Sequence, residues 1–279
     1  MLTGDEGVDV LFEDEWLLAV DKPAGLIVHG DGTGAPTLTD LVRAHLARAG
    51  EEDGAAQVQA VQRLDRDTTG VVLFSKDKAV QPALDAALAG RAGMGHSAGA
   101  AEGRAVGEAH DGGRFTRADG GAARKRYLAV VRGEFPWAAR TLDQAIGRDR
   151  HDARRMRVSR TGKPAETRVT LIAVSGSRGG RRSLLLVDLV SGRKHQIRVH
   201  LAHAGFPILG DALYGLPADR ASRTPGLMLH AWEERLVHPV TGEPLDLVAP
   251  YPERFRRLFP DEPTLPGRSL ALGAGSRLS

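Results

Sequence analysis

Strand-like segments follow one another along this chain with few helical stretches between them. That order argues against a doubly wound sheet fed by alternating helices and predicts an α+β fold with a largely antiparallel, mixed central sheet and flanking helices. Alternating or continuous apolar runs mark strands at residues 8–12, 16–20, 71–75, 125–131, 155–158, 166–174 and 183–190, with a short one near 142–146. The run at 183–190 is the longest and reads as a central strand. Residues 26–29 continue extended after the Pro23-Ala24-Gly25 break, and 227–232 and 234–238 read as two strands joined through a bend. Helical spacing appears at 37–49, where Leu38, Leu41, Val42 and Leu46 share a face and Thr37 is a suitable N-cap with Asp40 three residues on. Further helices are expected at 79–88, 195–204 and 253–258.

The chain has 279 residues, enough for one large domain or two small ones. The expected domain spans 8–260. Within it, residues 90–123 are rich in Gly and Ala and poor in large apolar side chains, so they read as a flexible insertion. Residues 261–279 read as a loose tail. There are no cysteines, which excludes disulfides, thiolate catalysis and Cys-ligated metal centres. No apolar run approaches the roughly 18 residues that suggest a membrane span, and the acidic N-terminus has no signal-peptide core. A cytoplasmic monomer with no membrane association is the expectation. Net charge is only +3, but residues 148–160 carry arginines at 148, 150, 154, 155, 157 and 160 against Asp149 and Asp152. With Arg124-Lys125-Arg126 and Arg181-Arg182, this stripe suits contact with phosphates.

The run Val61-Gln62-Arg63-Leu64-Asp65-Arg66-Asp67-Thr68-Thr69-Gly70 sets a carboxylate just before a turn signal and an apolar strand. Such a carboxylate is either a salt-bridge partner or a working group. The segment closely resembles the catalytic motif His-Arg-Leu-Asp-x-x-Thr-Ser-Gly of the pseudouridine synthases, in particular the ribosomal large-subunit synthase A (RluA) family. Other segments match that family in the same order: Lys22-Pro23-Ala24-Gly25, then Val28-His29; Lys125-Arg126-Tyr127; Gly192-Arg193-Lys194-His195-Gln196-Ile197-Arg198-Val199-His200; Pro207-Ile208-Leu209-Gly210-Asp211 and Tyr214-Gly215; Leu229-His230-Ala231; and His238-Pro239-Val240-Thr241-Gly242. The resemblance runs from about residue 8 to about residue 259.

This resemblance implies the pseudouridine synthase fold with a central active-site cleft, and an enzyme that isomerises uridines of ribosomal or transfer RNA without a cofactor. By the same route Asp65 is implied as the catalytic residue, Arg198 as its partner and Tyr127 as the aromatic residue lying against the base. Arg63, Ile197, Lys125, Thr68 and His195 are the expected substrate-binding residues. Three departures stand out. Gln62 occupies the usual His position, Thr69 the usual Ser position, and the 90–123 stretch is longer than the family's usual connection. No S4-type RNA-binding domain is expected ahead of residue 8. His195, His200 and His203 are offset by five and three, which is not the usual His-x-x-x-His metal pair, and no metal is expected. Two other readings compete: an inactive RNA-binding or RNA-folding module on the same scaffold, and a hydrolase pairing Asp65 with Asp67 or Asp211.

Overall fold

The computed structural model describes residues 7–30, 32, 34–88, 123–177, 180–217 and 226–260. The expected insertion, apart from residue 123, and the expected tail lie outside the described residues. Twelve strands and five helices are described: β1 Asp9–Glu13, β2 Leu17–Lys22, α1 Leu38–Arg48, α2 Glu52–Gln57, β3 Gln59–Ala60, β4 Thr69–Ser75, α3 Gln81–Leu88, β5 Arg124–Arg132, β6 Ala139–Leu142, β7 Ile146–Arg148, β8 Met156–Val158, β9 Thr167–Ser175, β10 Arg182–Leu189, α4 Gln196–His203, β11 Leu229–Val237, β12 Pro244–Val248 and α5 Glu253–Arg256. The main sheet runs β1-β2-β4-β11-β5-β10-β9-β6, with β12 on β11 and β3 on β4. Every pairing in it is antiparallel except the parallel contact of β4 with β11. Strands β7 and β8 form a separate hairpin. The described residues contain no helix long and apolar enough to cross a membrane.

Strands β2 and β4 are apolar without alternation because both faces are covered. Leu18, Val20, Val72 and Phe74 pack under α1 through Leu38, Val42 and Leu46. Leu17, Ala19, Val71 and Leu73 point the other way, to Leu84 and Ala87 of α3 and to Leu236 and Leu247. The second half of the sheet builds its own core from β5, β10 and β11, closed by Ile197 and Leu201 of α4 and by Phe255 of α5. Helix α1 starts as expected: Thr37 accepts from Asp40 N–H while the Asp40 side chain accepts from the Thr37 backbone, a reciprocal cap.

Several expectations change. Residues 26–29 are not a strand; the carbonyls of Ile27 and Val28 instead receive the first N–H groups of α1. The expected strand near 142–146 is two elements, β6 and β7, because only Leu142 and Ile146 are buried there. Helix α2 and strand β3 had no expected counterpart; α2 buries only Ala55 and so leaves no apolar period. Residues 229–237 form one strand in place of two. The expected bend is a bulge at Trp232, since Ala231 opposes Tyr127 while Glu233 opposes Arg126.

The two halves of the sheet meet where His230 and Ala231 register with Thr69 and Gly70. Gly70 has φ +108°, and a Cβ there would sit 2.0 Å from the Ala231 carbonyl oxygen. Only glycine fits that combination of backbone angle and strand approach. Gly70→Ala is expected to cost about 3 kcal/mol or more, from strain and overpacking together. Urea unfolding of the variant beside the parent chain measures it, and an unchanged midpoint would contradict the account.

Candidate active site

A cleft of about 650 Å³ opens along this seam. Its walls include Asp65, Tyr127, Arg198, Arg63, Ile197, Lys125, Thr68 and His195, the residues expected in catalysis or substrate binding, together with Gln62 and Leu229. They come from the loop entering β4, from β5, from the start of α4 and from the start of β11. The loop is pinned at several points. Leu64 packs against the cores of both halves. Thr68 N–H closes a turn on the Asp65 carbonyl at 3.1 Å. Lys22, fully buried, donates its ammonium to the carbonyls of Pro23 at 2.8 Å and Arg66 at 2.9 Å. Gly25 and Arg66 exchange two further bonds. Burial lowers the Lys22 pKa to about 8, against the opposing charges of Asp67 and Asp65.

Arg198 is the electrostatic centre. Its Nε and Nη2 each donate to Asp211 at 2.8 Å, and its Nη1 donates to Asp65 Oδ2 at 2.7 Å. Burial works against the guanidinium charge, but the bonds and charge of Asp211, then those of Asp65, outweigh it and raise the Arg198 pKa above its ordinary value. Asp211 also accepts from the backbone N–H groups of Leu213 and Tyr214. Burial alone would raise its pKa, but the hydrogen bond and charge of Arg198, then the two backbone bonds, bring it below the usual carboxylate range. Asp211 is thus saturated and fully enclosed, with a side chain 0 % exposed against 25 % for Asp65. A hydrolase that pairs Asp65 with Asp211 finds no second open carboxylate there.

His195 heads α4 with φ 56°, the one non-glycine residue with positive φ among those described. The Tyr214 hydroxyl accepts from Met156 N–H at 2.7 Å and is hydrogen-bonded to His195 Nδ1 at 2.8 Å. The other ring nitrogen, Nε2, stands 3.6 Å from Asp65 Oδ1. Burial, the largest influence, lowers the His195 pKa despite the charge of Asp65. His200 bonds instead to Thr167 and to the Gln144 carbonyl. Tyr127 is 9 % exposed. Burial, then the charges of Glu234 and Asp65, push its pKa upward, so its phenol stays protonated. The Thr68 hydroxyl is buried without a hydrogen-bond partner on the cleft wall. Sequence reading attached no role to Lys22 or Tyr214 and weighed Asp211 only as the second carboxylate of a hydrolase, although each stands in a quoted motif. It missed Glu234 altogether.

Behind the loop, the Thr69 hydroxyl accepts from Arg254 Nη2 at 2.7 Å and is hydrogen-bonded to His230 Nδ1 at the same distance. Burial, then the charge of Arg254, lowers the His230 pKa to about 3. Unfolded, this ring titrates near its ordinary 6.5. Between those values the unfolded chain carries the extra proton, so His230 leaves stability intact above about pH 6.5 and erodes it as the pH falls towards 3. Its share of the loss at about pH 5 is about 2 kcal/mol. His230→Asn, which does not titrate, should show a correspondingly shallower fall in urea midpoint between about pH 7 and about pH 5. Parallel slopes for the two proteins would contradict the assignment.

Comparison with known proteins gives a consistent answer. A family profile described as RNA pseudouridylate synthase matches residues 16–93 and 114–203. An uncharacterized RNA pseudouridine synthase of Bacillus subtilis, YhcT, is 32% identical over 252 residues, covering 90% of this chain and 71% of that protein. The ribosomal large subunit pseudouridine synthase D of Nitrosomonas europaea is 32% identical over 269 residues, 94% of this chain and 67% of its own length. Among solved structures, the human RNA pseudouridylate synthase domain containing 1 protein superposes with a TM-score of 0.65 at 20% identity, covering 96% of this chain and 93% of that one; it shares the fold. The chain belongs to the RluA family of RNA pseudouridine synthases, isomerases that convert uridine in RNA to its C-glycoside.

Proposed function

We propose that Asp65 is the catalytic residue of this isomerase and that its substrates are specific uridines of ribosomal or transfer RNA. The observation that carries the reading is the partition of the two carboxylates on Arg198: Asp211 neutralises the buried guanidinium, while Asp65 keeps one oxygen towards the cleft. In the reaction the bond from C1′ to N1 of uracil breaks, the base turns, and C1′ bonds to C5. The C5 proton leaves to solvent and N1 gains one. The Asp65 carboxylate attacks the sugar or the base, or removes the 2′ proton. Tyr127, held as a neutral phenol, lies against the base, Ile197 packs beside it, and Thr68 and His195 offer polar contacts. The target uridine leaves its helix to enter the pocket.

The phosphates are met by Arg63, Lys125 and the arginine stripe. That stripe falls on β7, the turn, β8 and the segment just after it, and Arg148, Arg150, Arg154, Arg157 and Arg160 are exposed. Arg154 is engaged with Asp152, and Arg155 lies over the Tyr214 ring. Tyr214 joins the hairpin to the site, so basic charge stands beside the cleft. The catalytic domain is taken as 8–260 with 90–123 inserted, a division supported by the interruption of the family match between residues 93 and 114. The ribosomal substrate is supported by the relatives named large subunit synthase D.

Pseudouridine mapping of total RNA tests the reading in cells with the gene intact, deleted, or restored as the parent or Asp65→Ala. Loss at one or a few positions, restored by the parent and not by the variant, is expected; restoration by Asp65→Ala would overturn the assignment. Arg150→Gln with Arg157→Gln should weaken RNA binding most at low salt and flatten its salt dependence by up to about one per lost phosphate contact. Filter binding between about 50 and about 200 mM salt measures this, and an unchanged slope would remove these arginines from the interface.

A further inference from the structure

Glu234 lies on the site face of β11 because of the bulge. Two steps along β11, from Ala231 to Glu233, match one step along β5, from Tyr127 to Arg126. Glu234 therefore opposes Lys125 and shares a face with Tyr127; without the extra residue it would point to the other side. The carboxylate is 3 % exposed. Gln62 Nε2 donates to its Oε2, Lys125 Nζ stands 3.5 Å from its Oε1, and Lys125 Nζ donates to Gln62 Oε1 at 2.7 Å. The three groups close a ring, with the amide oxygen facing the cation and the amide nitrogen facing the anion, so a flip of Gln62 is opposed from both ends. A buried carboxylate is costly, and an apolar side chain in its place is often neutral or stabilising. Stability alone gives no reason for this arrangement. Gln62 and Lys125 line the cleft, whereas Glu234 lies behind them.

We propose that Glu234 is a positioning residue for the isomerisation: it clamps Gln62 to Lys125 and so fixes the entry of the Asp65 loop against the strand that carries Tyr127. This rests on the assignment of Asp65 above. The geometry divides the labour around that residue. Lys22 holds the loop at Arg66, just after Asp65. The clamp on Gln62 holds it three residues before. Between these two anchors, Asp65 is set relative to Tyr127 from both directions. The Glu234 charge also helps keep Tyr127 protonated, second to burial.

The test uses RNA labelled with tritium at C5 of uridine, purified from cells lacking the gene, since each isomerisation releases that tritium. Single-turnover release at saturating protein is measured for the parent, Glu234→Leu, Glu234→Gln, Gln62→Leu, the Gln62→Leu/Glu234→Leu double variant and Asp65→Ala, each below its melting transition. Filter binding of the same RNA runs in parallel. Glu234→Leu and Gln62→Leu should each slow release about ten- to a hundredfold, with RNA affinity held within about threefold, a loss made in the transition state. The double variant should be no slower than the worse single variant, because both break one clamp. Glu234→Gln keeps an acceptor for Gln62 and should recover most of the rate. Parent-like release by Glu234→Leu, additive losses in the double variant, or losses that follow RNA affinity would each overturn the clamp while Asp65→Ala stays silent. Release by Asp65→Ala at the parent rate would instead overturn the reading on which the clamp rests.

Discussion

A single buried guanidinium organises this site. Arg198 is 7 % exposed, so its charge must be met within the protein, and Asp211 meets it with two parallel bonds. Removing one partner of such a pair typically costs about 3–5 kcal/mol, because the other charge is left bare. The consequence for Asp65 is freedom. With Asp211 already neutralising the cation, the bond from Arg198 to Asp65 can weaken or change during a reaction without stranding a charge. On the proposed assignment of Asp65, structural and chemical duties thus fall on different carboxylates that share one arginine.

The rest of the architecture keeps that arginine and that carboxylate in reach of each other. Asp65 belongs to the half of the sheet covered by α1 and α3, Arg198 to the half closed by α4 and α5. Leu64 packs into both cores, immediately before Asp65. Gly70 lets β4 and β11 approach closely just after it. The helical period of α4 lets its two faces serve different layers. Ile197 and Leu201 enter the main core, while Val199 joins Ile146 and Ala165 beneath the basic hairpin.

Much of this was legible in the chain. Continuous burial of β2 and β4 could be read from their unbroken apolar runs, and the cap of α1 from Thr37 and Asp40. The resemblance brought Asp65, Tyr127 and Arg198 to notice, and all three line one cleft. What escaped was of another kind. Helix α2 buries a single small side chain and has no period to detect. The bend read after Trp232 is a bulge within one strand, and it inverts the face of every later residue in β11, which the bend alone did not convey. Glu234 therefore read as one more polar residue in an alternating strand. Pairwise commitments such as Arg198 to Asp211, thirteen residues apart, or Lys22 to Arg66, forty-four apart, are decided by the fold.

The parallel seam also bears on the order in which the molecule is assembled. Strand β4 is flanked on one edge by β2, and on its other edge by β3 at Phe74 and Ser75 and by β11 at Thr69 and Gly70. The first two neighbours precede β4 in the chain and are present when it is made. The third is not made until Leu229 and beyond. During synthesis from the N-terminus, the end of β4 that adjoins the Asp65 loop therefore stays an open edge while β5 through β10 and α4 emerge. The last element of the seam to leave the ribosome is thus the one that completes the cleft wall beside the Asp65 loop, and a nascent chain that has not reached Leu229 lacks a finished pocket.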